Sequence, residues 1–372
     1  MLHFHWRRVS MLFFQILICA YVVFLIWDLF QIVTRARPAW NRKAVALALT
    51  LFLVPGMYKY SLYFPFVVYI LVFTLLVQLL TRVLKKPFRL WMVALCVAAA
   101  FSYTAYGYTH FQRRVEMDYA LETDKKIAPT RLLFFSDLHY PNGMDGASLA
   151  QLVDSMARTD PDIVLIGGDL FDEQTSKADM EQGVASLRPL RERARVFYIY
   201  GNHDLQPKRR VKTYTQADFE RALRQAGIEI LNDESAVCGS ITIVGRQDAA
   251  LKTRLEAADL LDSLDPARFT VLVDHQPVDT KALLDSGKVD LMLSGHTHNG
   301  QLYPFGYLLD VYWNCDLRYG INDEGRMTAI TSSGVNAWGF PARTMGTSEY
   351  VVVDIKPQSP SPAPENSTDR QS

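Results

Sequence analysis

The chain has 372 residues, with 39 basic and 39 acidic side chains and 49% apolar residues. The balanced charge gives no electrostatic case for a nucleic-acid partner, and none is expected. The length allows two domains, and the long apolar runs crowd into the part before about residue 110.

Three uncharged runs suit membrane crossing: Met11–Trp27 with 17 residues, Tyr60–Thr81 with 22 and Leu90–Thr109 with 20. A bilayer core takes ~20 apolar residues in a helix. Ala44–Tyr58 is shorter, at 15 residues, and ends in Pro55-Gly56. No small-residue cleavage site follows the first run, so a removed signal peptide is disfavoured. If Ala44–Tyr58 also crosses, the clusters Arg35/Arg37/Arg42/Lys43 and Arg82/Lys85/Lys86/Arg89 share one side. The positive-inside rule then favours about four spans and an extracytoplasmic C-terminal domain, by eight basic residues to seven. The expectation is an all-α transmembrane region over 1–110, with the bilayer as partner. A polar connector over 111–130, a catalytic domain over 131–356 and a disordered Pro/Ser-rich tail over 357–372 complete the chain.

From residue 131 the pattern alternates. "RLLFFSD", "DIVLIGGD", "RVFYIYGNHD", "SITIVGRQD", "FTVLVDHQP" and "VDLMLSGHTH" read as buried strands. Helical stretches separate them over 146–159, 177–193, 216–225, 253–263 and 280–286. This is α/β architecture. "MTAITSSG" and "SEYVVVDI" have no helix between them and suggest a sheet ending in antiparallel strands.

Most of these runs end in a residue able to hold metal. Asp137 and His139 follow the first and Asp169 the second. Asn202, His203 and Asp204 follow the third, His275 a later one, then His296 and His298. Ligand crevices of open α/β sheets lie at such carboxyl ends, so these side chains should converge. Five of the chain's eight histidines sit there, which packing does not explain. Imidazole with carboxylate suits divalent Mn, Zn or Fe. In His296-Thr297-His298 the two rings diverge by alternation, as two neighbouring metals would use; Asp169 could bridge them.

The ordered set "SDLHY", "GGDLFDE", "YGNHD", "DHQP" and "SGHTHNGQ" resembles the five blocks of the calcineurin-like metallophosphoesterases. The segment "SSGVNAWGFPARTMGTSEYVVVDI" resembles the C-terminal signature of the YkuE/YaeI-type branch, which includes the transmembrane protein with metallophosphoesterase domain. The resemblance implies a four-layer α/β/β/α sandwich with two divalent metal ions. Asp137, His139 and His298 would hold one, Asn202, His275 and His296 the other, and Asp169 would bridge. His203 would be the acid beside the phosphate, with Asp204 orienting its ring. Gly245-Arg246-Gln247-Asp248 departs from the family's usual Gly-x-Asp-Asp turn. Arg343 matches a basic position of the signature: either a phosphate contact or an ion-pair partner. Cys238 and Cys315 could pair in an oxidising compartment. The aromatic run Tyr303–Asn314 is either sheet core or a hydrophobic lip dipping toward lipid.

The implied function is metal-dependent phosphohydrolysis of a phosphodiester or pyrophosphate at a bacterial cell membrane. The branch includes enzymes acting on UDP-2,3-diacylglucosamine, which makes a lipid-linked substrate a candidate. Soluble substrates, or a non-catalytic scaffold of the same fold, are the alternatives.

Overall fold

The structure, a computed structural model, describes residues 60–309, 315–323 and 325–358, and parts of 23–49. The expected spans Met11–Trp27 and Ala44–Tyr58 and the tail beyond Gln358 lie wholly or largely outside the described residues. Two described helices, α1 (Tyr63–Val83) and α2 (Leu90–Phe111), are long and apolar enough to cross a membrane. They form a hairpin in which Tyr69 packs edge-on against Tyr103. Two of the expected four spans thus lie among the described residues.

Two six-stranded sheets come next. The first contains β1 (Arg114–Thr123), β2 (Thr130–Phe135), β3 (Ile163–Ile166), β4 (Arg195–Tyr198), β5 (Glu229–Ile230) and β12 (Ser348–Pro357). Their order is β1-β12-β2-β3-β4-β5, and only the β12–β2 pair is antiparallel. The second contains β6 (Glu234–Cys238), β7 (Ile241–Gly245), β8 (Phe269–Val273), β9 (Leu291–Ser294), β10 (Gly320–Asp323) and β11 (Thr328–Thr331). Its order is β10-β11-β9-β8-β7-β6, parallel through β11-β9-β8-β7 and antiparallel at both edges.

Strand alternation sends side chains to both faces of each sheet. Leu132, Phe134, Ile163, Leu165 and Phe197 face Ile243, Val271, Leu291 and Ile330 in a core between the sheets. The opposite face of the first sheet, with Leu133, Phe135, Val164 and Val196, is covered by α3 (Gly146–Ala157), α4 (Lys177–Ser186), α5 (Arg188–Arg191) and α6 (Gln216–Gln225). Helices α7 (Ala257–Leu261) and α8 (Thr280–Ser286) cover the second sheet through Leu260, Leu261 and Leu283. Phe134 is fully buried between the sheets; truncating such a residue to Ala typically costs ~3–5 kcal/mol. Both α4 and α6 begin in capping boxes, Ser176/Asp179 and Thr215/Asp218, which start them where the sequence pattern does.

Three expectations change. The connector over 111–130 contains β1, a ten-residue strand lying parallel to β12. Its alternation buries Met117, Tyr119 and Leu121 in part while Glu116, Asp118 and Glu122 face water, so its charges mark an edge strand. The last two strands do not pair: β11 joins the second sheet and β12 the first. The segment between them, 332–347, runs from one sheet to the other across the end where the candidate site lies. Cys238 and Cys315 are both free, so the pairing is not made.

The hairpin docks on this domain. Tyr69, Ile70 and Ala100 pack with Leu302, Phe340 and Ala342, and Phe64 stacks on Phe340 at 5.3 Å. The Tyr69 hydroxyl donates to the Tyr303 carbonyl at 3.0 Å, and Gly107 of α2 accepts from the Arg343 amide at 2.9 Å. In the aromatic run, Phe305–Leu309 is a short helix, α9; Phe305 packs toward the hairpin while Tyr303 and Tyr307 are exposed. Residues 310–314 lie outside the described residues.

Candidate metal centre

The loops after β2, β3 and β4 meet those after β8 and β9 at one end of the two sheets. Five of the seven expected ligands sit there with left-handed backbone: Asp137 (φ 57°), His139 (42°), Asp169 (52°), His296 (68°) and His298 (48°). Non-glycine residues rarely adopt this region, and such strain persists only where surrounding structure imposes it. Here it turns consecutive side chains into one crevice. Gly168 (φ 87°) lets the β3 loop lie against the β4 loop; a Cβ there would come within 2.5 Å of the Gly201 nitrogen.

Two clusters result. Asp137, His139 and His298 offer ligand atoms within 4.8 Å of one another, as do Asp169, His275 and His296. In the first, His139 Nε2 lies 3.3 Å from His298 Nε2, which is 3.4 Å from Asp137 Oδ1. In the second, His275 Nε2 is 3.2 Å from both Asp169 Oδ2 and Asn202 Oδ1. Asp169 Oδ2 also lies 3.7 Å from His139 Nε2, so one carboxylate oxygen stands between the clusters. The structure therefore brings all seven expected ligand residues together.

The donor set fits divalent cations. Burial holds His139 and His296 down at about 3 and His298 well below its usual value, so these rings are neutral and can donate lone pairs. His275 Nδ1 lies 2.8 Å from the Gly167 carbonyl, which fixes a proton on that nitrogen. Its Nε2 then faces two oxygens. A neutral ring would set a lone pair against both, and positive charge at that point removes the conflict. Burial opposes a charged His275, but Asp169 outweighs it and holds the pKa well up. The Asp169 carboxyl is also buried, yet the imidazoles around it, His275 first, keep it ionised.

His203 sits at the rim, its ring 5.6 Å from that of His139. Its partner is Glu173, whose Oε2 lies 2.8 Å from Nδ1. Burial disfavours a charged His203, but Asp169 and Glu173 outweigh it and raise its pKa. The expected role of Asp204 is not seen. Its carboxylate turns inward and accepts from the Asp169, Phe171 and Gly201 amides and the Tyr198 hydroxyl, at 2.7–3.1 Å. It braces the β3 loop against the β4 loop and does not touch the ring of His203. Glu173 stands in the block "GGDLFDE", four residues after Asp169, and that is its only signal in the sequence.

Further side chains pack around the site. Arg343 is fully buried, and its guanidinium donates to the carbonyls of His298, Ser333 and Asn336 at 2.7–2.9 Å. Among the described residues it makes no ion pair, and its burial closes it to a ligand. Arg246 is likewise buried, bonded to Asp274 and Asp279, and Asp248 accepts from Gln276; the departing turn serves packing. Trp338, half-buried, stands 5.5 Å from the ring of His203, with the Lys208 ammonium 5.5 Å from its own centroid. Sequence reasoning missed both.

The calcineurin-like phosphoesterase family matches residues 130–300. An uncharacterized metallophosphoesterase of Helicobacter pylori is 28% identical over 240 residues, 63% of this chain and 62% of its own. A transmembrane protein with metallophosphoesterase domain from Danio rerio is 27% identical over 383 residues, 94% of this chain and 80% of its own. Phosphodiesterase YaeI of Escherichia coli is 29% identical over 222 residues, 56% of this chain and 76% of its own. The chain thus spans less than two thirds of the Helicobacter relative's length.

Proposed function

The chain belongs to the calcineurin-like metallophosphoesterases, and from that premise we propose that it is a membrane-anchored hydrolase of a phosphodiester or pyrophosphate bond. The observation that carries this reading is Asp169 Oδ2, which lies 3.7 Å from His139 in one cluster and 3.2 Å from His275 in the other. Asp137, His139 and His298 would hold one divalent cation and Asn202, His275 and His296 the second, with Asp169 shared. Such a pair, when bound, supplies charge for the phosphate oxygens and lowers the pKa of water at the site.

The chain's own groups do the rest. His203, whose pKa Asp169 and Glu173 raise against its burial, gives its proton to the leaving oxygen. Asp204 fixes the two loops that carry Asp169 and Asn202. The hairpin holds the site beside the bilayer, and exposed Tyr303 and Tyr307 extend from the docked segment as an interfacial lip. That arrangement favours a lipid-linked phosphoester over a freely soluble one. The turn between α1 and α2 carries Lys85, Lys86 and Arg89; with this turn cytoplasmic, the catalytic domain lies outside the cytoplasm.

The test is the full chain in detergent, supplied with Mn, Zn or Fe, against phosphomonoesters, phosphodiesters and diphosphate-linked lipids. Two bound equivalents with hydrolysis of a diester or diphosphate are expected. Absence of hydrolysis with both metals bound would leave a scaffold.

A further inference from the structure

The loop Pro207–Lys212 comes soon after His203 and carries Lys208, Arg209, Arg210 and Lys212. All four are exposed, and among the described residues none forms an ion pair. Four like charges in five residues repel one another with no carboxylate in an ion pair with them among the described residues, which suits the loop to an anion that arrives from outside. It is also held in place. Gln206 at its base is buried with φ 49°; its amide donates to the Asp172 and Thr175 carbonyls at 3.0 and 2.8 Å and its oxygen accepts from the Thr213 amide at 2.9 Å. Arg209 Nη1 donates to the carbonyl of Glu173, the partner of His203, at 2.8 Å. The loop is thereby tied to the residue that orients the acid.

Its charge reaches the site along one line. Lys208 Nζ lies 5.5 Å from the Trp338 centroid, and the same ring lies 5.5 Å from His203. Trp338 is fixed in turn by Gln301, whose side chain accepts from the Trp338 amide at 3.0 Å and donates to its carbonyl at 3.2 Å.

We propose that Lys208 and its neighbours in the Pro207–Lys212 loop, with Trp338 as the floor, form a subsite for a second phosphate on the leaving side of the substrate. The inference rests on the phosphoesterase reading above and narrows it to diphosphate diesters. In the step it describes, water adds to the phosphorus at the metal clusters and the bridging P–O bond breaks. The electron pair and negative charge leave on the second phosphate, the loop cations receive that charge, and His203 supplies the proton the leaving oxygen needs. The products are two phosphomonoesters, and water supplies the remaining atoms.

The experiment compares kcat/KM for ADP-ribose, a diphosphate diester, with that for bis-p-nitrophenyl phosphate, which has one phosphate. It uses the full chain in detergent with metal, as wild type and as Lys208→Ala, Arg210→Ala and the double variant. An exposed ion pair is worth up to about fivefold, so the ratio should fall about three- to fivefold per substitution and about 10- to 25-fold in the double variant. The loss should shrink at high salt, and Lys208→Arg should restore most of it. An unchanged ratio in the double variant, or a wild type that cleaves only the one-phosphate ester, would overturn the subsite and leave the phosphoesterase reading standing. Cleavage of neither substrate by the metal-loaded wild type would instead remove the reading on which it rests.

Discussion

Glu173→Gln and Asp204→Asn separate two accounts of one histidine. Glu173 Oε2 lies 2.8 Å from His203 Nδ1, with side chains only 6% and 7% exposed. Glutamine keeps the shape and removes the charge. A hydrogen bond to a charged group is worth ~1.5–3 kcal/mol and ~1.4 kcal/mol is tenfold in rate, so the acid step should slow about 10- to 100-fold. The loss should appear with an alkyl phosphodiester, whose alkoxide needs the proton, and largely vanish with bis-p-nitrophenyl phosphate. The pH effect has a definite sign. Burial pulls the His203 pKa down, but Asp169 and Glu173 outweigh it and hold it up. The protonated acid is present below this pKa and lost as pH rises through it. Removing the Glu173 charge lets the pKa fall, so the alkaline limb of the alkyl-diester rate should move to lower pH.

Asp204→Asn should behave differently. Asp204 Oδ2 accepts from the Asp169 and Gly201 amides and the Tyr198 hydroxyl, and Oδ1 from the Phe171 amide. An asparagine can keep its oxygen on the first three, but its NH₂ then meets the Phe171 N–H. Two donors face to face in a buried site cost ~1–3 kcal/mol. The expected readout is a lower melting temperature in detergent with equal proportional loss on both substrates. A selective loss of the alkyl diester in Asp204→Asn, with none in Glu173→Gln and metal content intact in both, would refute the assignment.

Asp169→Asn should cost at least one metal equivalent by elemental analysis, since a neutral amide cannot hold two dications at close range; two full equivalents would remove the bridge. Gly201→Ala would drive a Cβ into the Asp169 carboxylate and amide, and overpacking there should destabilise the domain by ~1–3 kcal/mol and weaken metal retention; a variant with wild-type melting and metal content would show that the loops are looser than described. An alkaline phosphatase fusion after Tyr108 should be active and a green fluorescent protein fusion there dark; the reverse pattern would put the domain in the cytoplasm.

Strand ends are readable because a buried parallel strand announces itself as an unbroken apolar run, and the crevice lies where such runs stop. Hence Asp137, Asp169, His275 and the His296/His298 pair can be placed from sequence. Side chains in the loop beyond a strand end are harder to aim. Neighbouring ones diverge: Asn202 turns to His275 and His203 to Glu173. The same rule turns Asp204 away from the ring of His203, toward the amides it accepts from. The partner of His203 comes from a loop 30 residues earlier in the chain, a pairing that only the fold creates. Strand β1 is hidden for another reason: its outward face carries Glu116, Asp118 and Glu122, so its composition reads as connector while the period of two lies in Met117, Tyr119 and Leu121. Lys208 and Trp338 meet across 130 residues of chain, and no local pattern points from one to the other.

The segment 338–346 connects the hairpin to the metal clusters in a way a simple tether would not need. Gln301, three residues after His298, donates to the carbonyls of Trp338, Phe340 and Ala342 at 3.1–3.2 Å and accepts from the Thr344 amide through its own carbonyl at 2.9 Å. Arg343 donates to the His298 carbonyl from one side while its amide is held by Gly107 of α2 on the other. The same few residues therefore wall the site, seat the apolar hairpin of α1 and α2 and hold the backbone of His298 at φ 48°. That strained conformation persists only while its surroundings impose it. Part of those surroundings is the hairpin, through Phe64 on Phe340 and Gly107 on Arg343. The hairpin thus belongs to the structure that shapes the site, which is why the full chain, and not an excised domain, is the form in which its chemistry should be measured.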